Sequence, residues 1–425
     1  MNYKLTKLKN GLKVITSEMP NVFGVSNNVF VGAGSRYETK EENGISHFLE
    51  HMTLKGTKKR PTSEDVFGTI NSIGGLINAG TSNEYTCFWN KVPQKYFSLG
   101  LELLSDMLFN SLFKEEEINR EKGVIIEEIN MYKDRPSNYV IRIGYGLLWG
   151  DTPLGRDILG TKESVAEFQR KDFLNYLKNL YQPQNMVVSV AGNIKHQEVI
   201  KEAEKNFGKL KNYVIRNWDK YKDDQKKFEV AINYKETDQA HLFLAFKAIS
   251  RHHPDKPVLD VLDSILSRGG SGRLLVNIRE KRGLAYDIAA YEDNFLDTGC
   301  IFSHAGLNSQ KLEEAIKAIL DEFKKLKEEK IGDKELKKAK EYLKGSFLLS
   351  MDDCENVASW LGEQALFDKK IKTPEEKIKE IEKVTPEQIQ KLSQKLFVKE
   401  KLNLALIGPF KDKKPFDDIL NKFKL

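Results

Sequence analysis

Two stretches of the chain, 216 residues apart, carry the same succession of helix and strand. Phe173 to Tyr181 has the apolar spacing of an amphipathic helix and leads into the alternating strand Met186 to Ile194. Ile389 to Phe397 leads in the same way into Leu402 to Phe410. Tyr181 and Phe397, Met186 and Leu402, and Gly192 and Gly408 all keep the single offset, so helix, loop and strand repeat in one register. A period of about half the chain predicts duplication of a domain-sized unit. The 425 residues are also more than one core sustains, and the Lys/Asp-rich run Lys211 to Lys227 falls between the copies as a linker.

Each half mixes strands, such as Leu12 to Thr16, Val25 to Val31 and Ala240 to Phe246, with helices. In the helix Leu312 to Leu326, residues Leu312, Ile316, Ile319, Phe323 and Leu326 mark one apolar face. The fold expected is α+β. It has two structurally similar domains, residues 1–215 and 216–425, each a mixed, mainly antiparallel sheet packed with helices.

Composition narrows the function classes. Apolar residues at 40% build packed cores, which excludes a disordered chain. The net charge of +6 comes from 68 basic and 62 acidic residues that are interspersed, so no basic stripe points to nucleic acid. No segment approaches the roughly 18 apolar residues of a membrane span, and the charged N-terminus opens no signal or mitochondrial targeting pattern. Cys87, Cys300 and Cys354 are odd in number and widely spaced, with no disulfide framework or metal knuckle. A cytoplasmic protein is expected.

The chemistry concentrates in Gly44-Ile-Ser-His47-Phe-Leu-Glu50-His51-Met. On a helix, imidazoles four residues apart and a carboxylate three after the first share a face. Two neutral imidazoles so placed can take adjacent corners of a tetrahedral zinc site, while Glu50 reaches a water without ligating. This is the His-x-x-Glu-His arrangement of inverted zincins. A catalytic zinc needs a third protein ligand from another element and an open fourth position, whereas a structural zinc is usually closed by four. The helical run Lys114 to Tyr132 offers candidates, with Glu121 and Glu128 seven residues apart on one face and Glu127 beside them.

Three further runs make the likeness specific. Gly32-Ala-Gly34-Ser-Arg36-Tyr-Glu38, the stretch Gly44 to Thr57, and Asn78-Ala79-Gly-Thr-Ser-Asn-Glu84-Tyr-Thr86 resemble the pitrilysin, insulysin and mitochondrial processing peptidase family over nearly the whole chain. The resemblance implies a third zinc ligand separated from the second histidine by 76 intervening residues, which selects Glu128 over Glu127. It gives Glu121 a supporting role that orients a ligand. The segment Ser271 to Tyr286 resembles the family's other functional segment, and this implies that Arg279 and Tyr286 reach the bound peptide. Departures are small: Thr53-Leu54 stands where an aromatic often precedes Lys-Gly-Thr, and Thr152 where a histidine is common.

The function expected is hydrolysis of unfolded or short peptides with one Zn2+ per chain on His47, His51 and Glu128, Glu50 being the general base. Arg279 and Tyr286 would assist, and Asn78 and Ala79 would offer a strand edge to an extended peptide, because small residues permit close backbone approach. The alternative is a noncatalytic partner subunit, which should lack a ligand or Glu50. With both motifs in one chain, the expected assembly is a homodimer or a self-sufficient monomer. His252 and His253, before Pro254, are read as the start of a loop or helix, and His196, His241 and His304 have no recognisable ligand spacing.

Overall fold

A computed structural model describes all residues from Met1 to Leu425. The chain forms two compact units, one built from residues 1–130, 156–219 and 348–374, the other from 131–155, 220–347 and 375–425. The first holds a six-stranded sheet of β1 (Tyr3–Lys7), β2 (Lys13–Glu18), β3 (Gly24–Val31), β4 (Leu76–Thr81), β5 (Thr86–Pro93) and β6 (Met186–Gly192), in the order β1-β2-β6-β3-β5-β4. The second holds β7 (Glu229–Tyr234), β8 (Gln239–Ala248), β9 (Ala285–Asn294), β10 (Gly299–Asn308) and β11 (Leu402–Gly408), in the order β7-β11-β8-β10-β9. Each sheet has one parallel pair, β2 with β6 and β7 with β11, and is otherwise antiparallel. The α+β class and the two similar domains of the sequence reading are therefore observed.

The 216-residue offset runs further than the sequence pattern alone. Helices Arg170–Leu180 and Pro386–Leu396 keep it, as do the following 3₁₀ turns Pro183–Asn185 and Lys399–Lys401. The parallel registers Lys13 to Val187 and Glu229 to Asn403 keep it too. Both helices end on an aromatic residue with nearly the same backbone angles, Tyr181 at φ −86°, ψ 70° and Phe397 at φ −86°, ψ 67°.

Each unit also takes a helix from the other half of the sequence. Helix Cys354–Phe367 lays Val357, Ala358, Leu361 and Ala365 on the Ile15, Phe30, Val187 and Ala191 face of the first sheet. Helix Pro136–Trp149 lays Val140, Leu148 and Trp149 on the Phe243, Phe302 and Ile407 face of the second. Contiguous domains 1–215 and 216–425 would separate both helices from the apolar faces they cover, which is why the compact units are discontinuous in sequence. Each helix comes close to its sheet through a glycine. A Cβ on Gly362 would collide with the Phe30 ring, and one on Gly144 with the Phe243 ring. Gly362→Val is expected to lower stability by about 1–3 kcal/mol, the usual cost of overpacking, read from urea unfolding of the full chain. An unchanged midpoint would show that this face is not closely packed.

The expected linker is extended and without regular structure, yet it is anchored along its length. Arg216 pairs with Glu42, and the Arg36 guanidinium stacks on Trp218 at 3.6 Å. The Tyr221 N–H donates to Asp297 at 2.7 Å, and Lys247 pairs with Asp223 at 2.5 Å.

Candidate metal centre

The helix carrying the two histidines, Ile45–Thr53, packs against the edge strand β4 and starts from a built cap. Gly44 lies at φ +97°, and a Cβ there would stand 2.7 Å from the Leu159 carbonyl, so glycine is required on both counts. The buried Glu38 carboxylate accepts from the Gly44 and Ser46 N–H groups at 2.8 and 2.9 Å, and from the Ser46 hydroxyl at 2.6 Å. A negative group at the first turn suits the helix dipole and satisfies otherwise orphaned donors. Arg36 and Glu84, buried and paired at 2.5 Å, tie the loop before this helix to the loop between β4 and β5.

His47, His51 and Glu128 come together. One ligand atom from each lies within 4.8 Å of the others, and each histidine Nε2 is 3.7 Å from Glu128 Oε2. That spacing is too long for a hydrogen bond. It is close to the ~3.4 Å edge of a tetrahedron whose metal bonds are ~2.0–2.1 Å, so two nitrogens and one oxygen fit zinc with a corner left open. Glu127, the neighbour on helix Glu115–Asp134, is exposed and accepts from Asn130 at 3.4 Å instead.

Glu121, 2% exposed, accepts from His51 Nδ1 at 2.8 Å and from Lys55 Nζ at 2.7 Å. Burial pushes the Glu121 carboxyl up, but these two partners outweigh it and hold it below the usual range. An ionised Glu121 can only accept, so His51 carries its proton on Nδ1 and turns the Nε2 lone pair toward Glu128. Burial opposes a positive His51, yet its bond to Glu121 and the charges of Glu50, Glu121 and Glu128 prevail and raise it. The local field thus favours a cation.

Glu50 stands outside the trio. Its Oε2 accepts from the Thr81 hydroxyl at 2.6 Å, and burial raises its carboxyl above the ordinary value despite that bond. Thr81 ends β4, the strand that also carries Asn78 and Ala79, and β4 has one free edge. Arg279 and Tyr286 belong to the other compact unit. Arg279 lies in the π-helical turn Leu275–Glu280, 3.5 Å from Glu280, and Tyr286, near the start of β9, is 76% exposed.

Three contributors escaped the sequence reading: Glu38 as the cap, Lys55 as the partner of Glu121, and Thr81 as the donor to Glu50. Glu38, Lys55 and Thr81 all lie in the segments that carry the family likeness, but nothing in their spacing names their partners.

Comparison with known proteins places the chain in a family. Residues 13–162 match the family described as Insulinase (Peptidase family M16), and residues 167–343 match the Peptidase M16 inactive domain. The uncharacterized zinc protease YmxG of Bacillus subtilis (strain 168) is 37% identical over 94% of this chain and 97% of its own. The probable mitochondrial-processing peptidase subunit beta of Arabidopsis thaliana is 31% identical over 99% of this chain and 80% of its own. A solved structure of a protease from Helicobacter pylori shares the fold, with TM-score 0.90 and 23% identity over 96% of this chain and all of that one. The chain belongs to peptidase family M16, the insulinase family.

Proposed function

We propose that the chain is a zinc metalloendopeptidase acting on unfolded or short peptides, with His47, His51 and Glu128 as metal ligands and Glu50 as general base. The observation that carries this reading is the open His-His-Glu trio beside a half-buried carboxylate, Glu50, that is not one of its members. Zinc held there would supply a Lewis acid that polarises the scissile carbonyl and acidifies water. Glu50 takes the proton from the attacking water and returns it to the leaving amine. Thr81 holds the Glu50 carboxylate in one rotamer by donating to Oε2, which leaves Oε1 for the proton. Glu121 fixes the His51 ring and tautomer, and Lys55 keeps Glu121 ionised. The β4 edge at Asn78 and Ala79 receives the peptide as an added strand, which gives broad sequence preference because main-chain groups do the recognising.

Arg279 and Tyr286 are assigned, on the sequence likeness, to donate to the peptide carbonyl as negative charge develops. The chain is further assigned to the cytoplasm, where three free, buried thiols suit a reducing milieu, and to a homodimer. No helix is long and apolar enough to cross a membrane. A noncatalytic subunit finds no support in the residues, since the trio and Glu50 are all present.

The test is cleavage of an internally quenched unstructured peptide beside the same sequence held in a folded protein. The peptide should be cut and the folded form spared. Arg279→Ala and Tyr286→Phe should each lower kcat about 10²–10³-fold with zinc content unchanged, the usual cost of one such donor. Equal cutting of the folded substrate would overturn the substrate assignment, and normal kcat in both variants would remove them from the chemistry.

A further inference from the structure

Glu38, which caps the histidine helix, and Thr81, which holds Glu50, stand at the ends of two loops that are stitched together. The Arg36 N–H donates to the Asn83 carbonyl at 2.8 Å, the Asn83 amide to the Ser35 hydroxyl at 3.0 Å, and the Thr86 hydroxyl to the Ala33 carbonyl at 2.8 Å. A Cβ on Gly34 would collide with the Ser82 carbonyl, so the two backbones are in contact. Glu38 lies two residues past Arg36, and Thr81 lies three before Glu84. The Arg36–Glu84 pair, 2% and 6% exposed, therefore sets the spacing between the helix cap and the group that orients the general base.

Two linker residues close over this joint. The Arg36 guanidinium carbon lies 3.6 Å from the centre of the Trp218 ring, and the Trp218 N–H donates to the Tyr37 hydroxyl. Arg216, two residues earlier, pairs with Glu42 and donates to the Tyr37 carbonyl at 3.4 Å. The Glu42 carbonyl in turn accepts from the N–H of Ile45, the first residue of the histidine helix, at 2.9 Å. A buried ion pair is stable only while its geometry is kept and its remaining charge is compensated. An indole face over a guanidinium attracts the cation and shields the pair from water, where the attraction would be weaker. Trp218 is half-buried in a segment without regular structure, so no helix or sheet requires an indole there.

We propose that Trp218 is a positioning residue of the peptidase: through Arg36 it holds the two loops at the spacing that presents Glu50 to the His47, His51 and Glu128 trio. The first part of the linker then belongs to the working structure of the first unit and is not a spacer. The inference rests on the peptidase reading and adds to it a residue that no motif marks.

Turnover of the quenched peptide per zinc-filled full chain tests it. Trp218→Ala should lower kcat about 10–10²-fold, since a shift on the order of 1 Å at the reacting groups is that costly, with KM and zinc content near wild type. Trp218→Phe keeps an aromatic face over Arg36 and should retain most of kcat. Trp218→Leu keeps apolar cover without that face and should fall as the alanine variant does. An Arg36→Gln/Glu84→Gln background removes the pair without stranding one charge, and adding Trp218→Ala there should cost nothing further; a further fall would show that Trp218 does not act through Arg36. A role in stability alone would give a lower Tm and a smaller zinc-filled fraction but wild-type kcat for each filled chain, and that result overturns the proposal. So does wild-type kcat in Trp218→Leu, or an equal loss in Val214→Ala, a change at a 90% exposed position of the same segment. Should Trp218→Ala unfold, the leucine and phenylalanine variants decide. Failure of the peptidase reading is seen separately, as wild-type chain filled with zinc that leaves the peptide intact.

Discussion

With Glu50 replaced by Gln, kcat for peptide hydrolysis is expected to fall about 10²–10⁴-fold, the usual share of a positioned general base, while zinc content stays at that of the wild type. The amide keeps the size of the carboxylate, and its oxygen still accepts from Thr81 as Glu50 does at 2.6 Å. What it loses is the ability to take a proton. Glu50 lies outside the His47, His51 and Glu128 trio, so metal and chemistry are separable in this one variant. Thr81→Ala should act in the same direction but less severely, because it frees the carboxylate rotamer without removing the base. A Glu50→Gln chain that turned over normally would require another base.

Zinc content itself should follow the ligand set. His47→Ala, His51→Ala and Glu128→Ala each remove one of the converging atoms and should leave chain without bound zinc after dialysis, measured by elemental analysis. Glu127→Ala should retain it, since that side chain faces solvent and Asn130. Glu121→Ala should be intermediate, weakening zinc about 10–100-fold, because it loosens the His51 ring without deleting a ligand. Retention in Glu128→Ala with loss in Glu127→Ala would mean the helix carries its ligand one residue earlier.

How much of this was legible in the sequence depended on whether the determinant was local. The spacing of His47, Glu50 and His51 sits within two helical turns, and the repeat of helix, turn and strand at an offset of 216 is a pattern of neighbours, so both could be read directly. The offset even underlies the matching parallel registers at Lys13 and Glu229. Helix exchange was not legible. Cys354–Phe367 is apolar on the face it needs, but no periodicity tells which of two similar sheets that face covers. Gly362 against Phe30 and Gly144 against Phe243 mark the answer only once the packing is known. The supporting groups of the metal centre were hidden for the same reason. The bond from Thr81 to Glu50 spans 31 residues and that from Lys55 to Glu121 spans 66, so neither has a local signature. In the linker, composition showed a break between sheets, while its anchoring rests on pairings such as Arg216 with Glu42 that are remote in sequence.

The most direct measurement is turnover of an internally quenched unstructured peptide by the purified full chain, followed through removal and return of the metal. Hydrolysis should disappear when a chelator strips the zinc and should return in proportion to added Zn2+, reaching its plateau when the His47, His51 and Glu128 centre is filled. Hydrolysis that persists in the stripped chain, or zinc-filled chain that leaves the peptide intact, would contradict the assignment of this centre to peptide-bond cleavage.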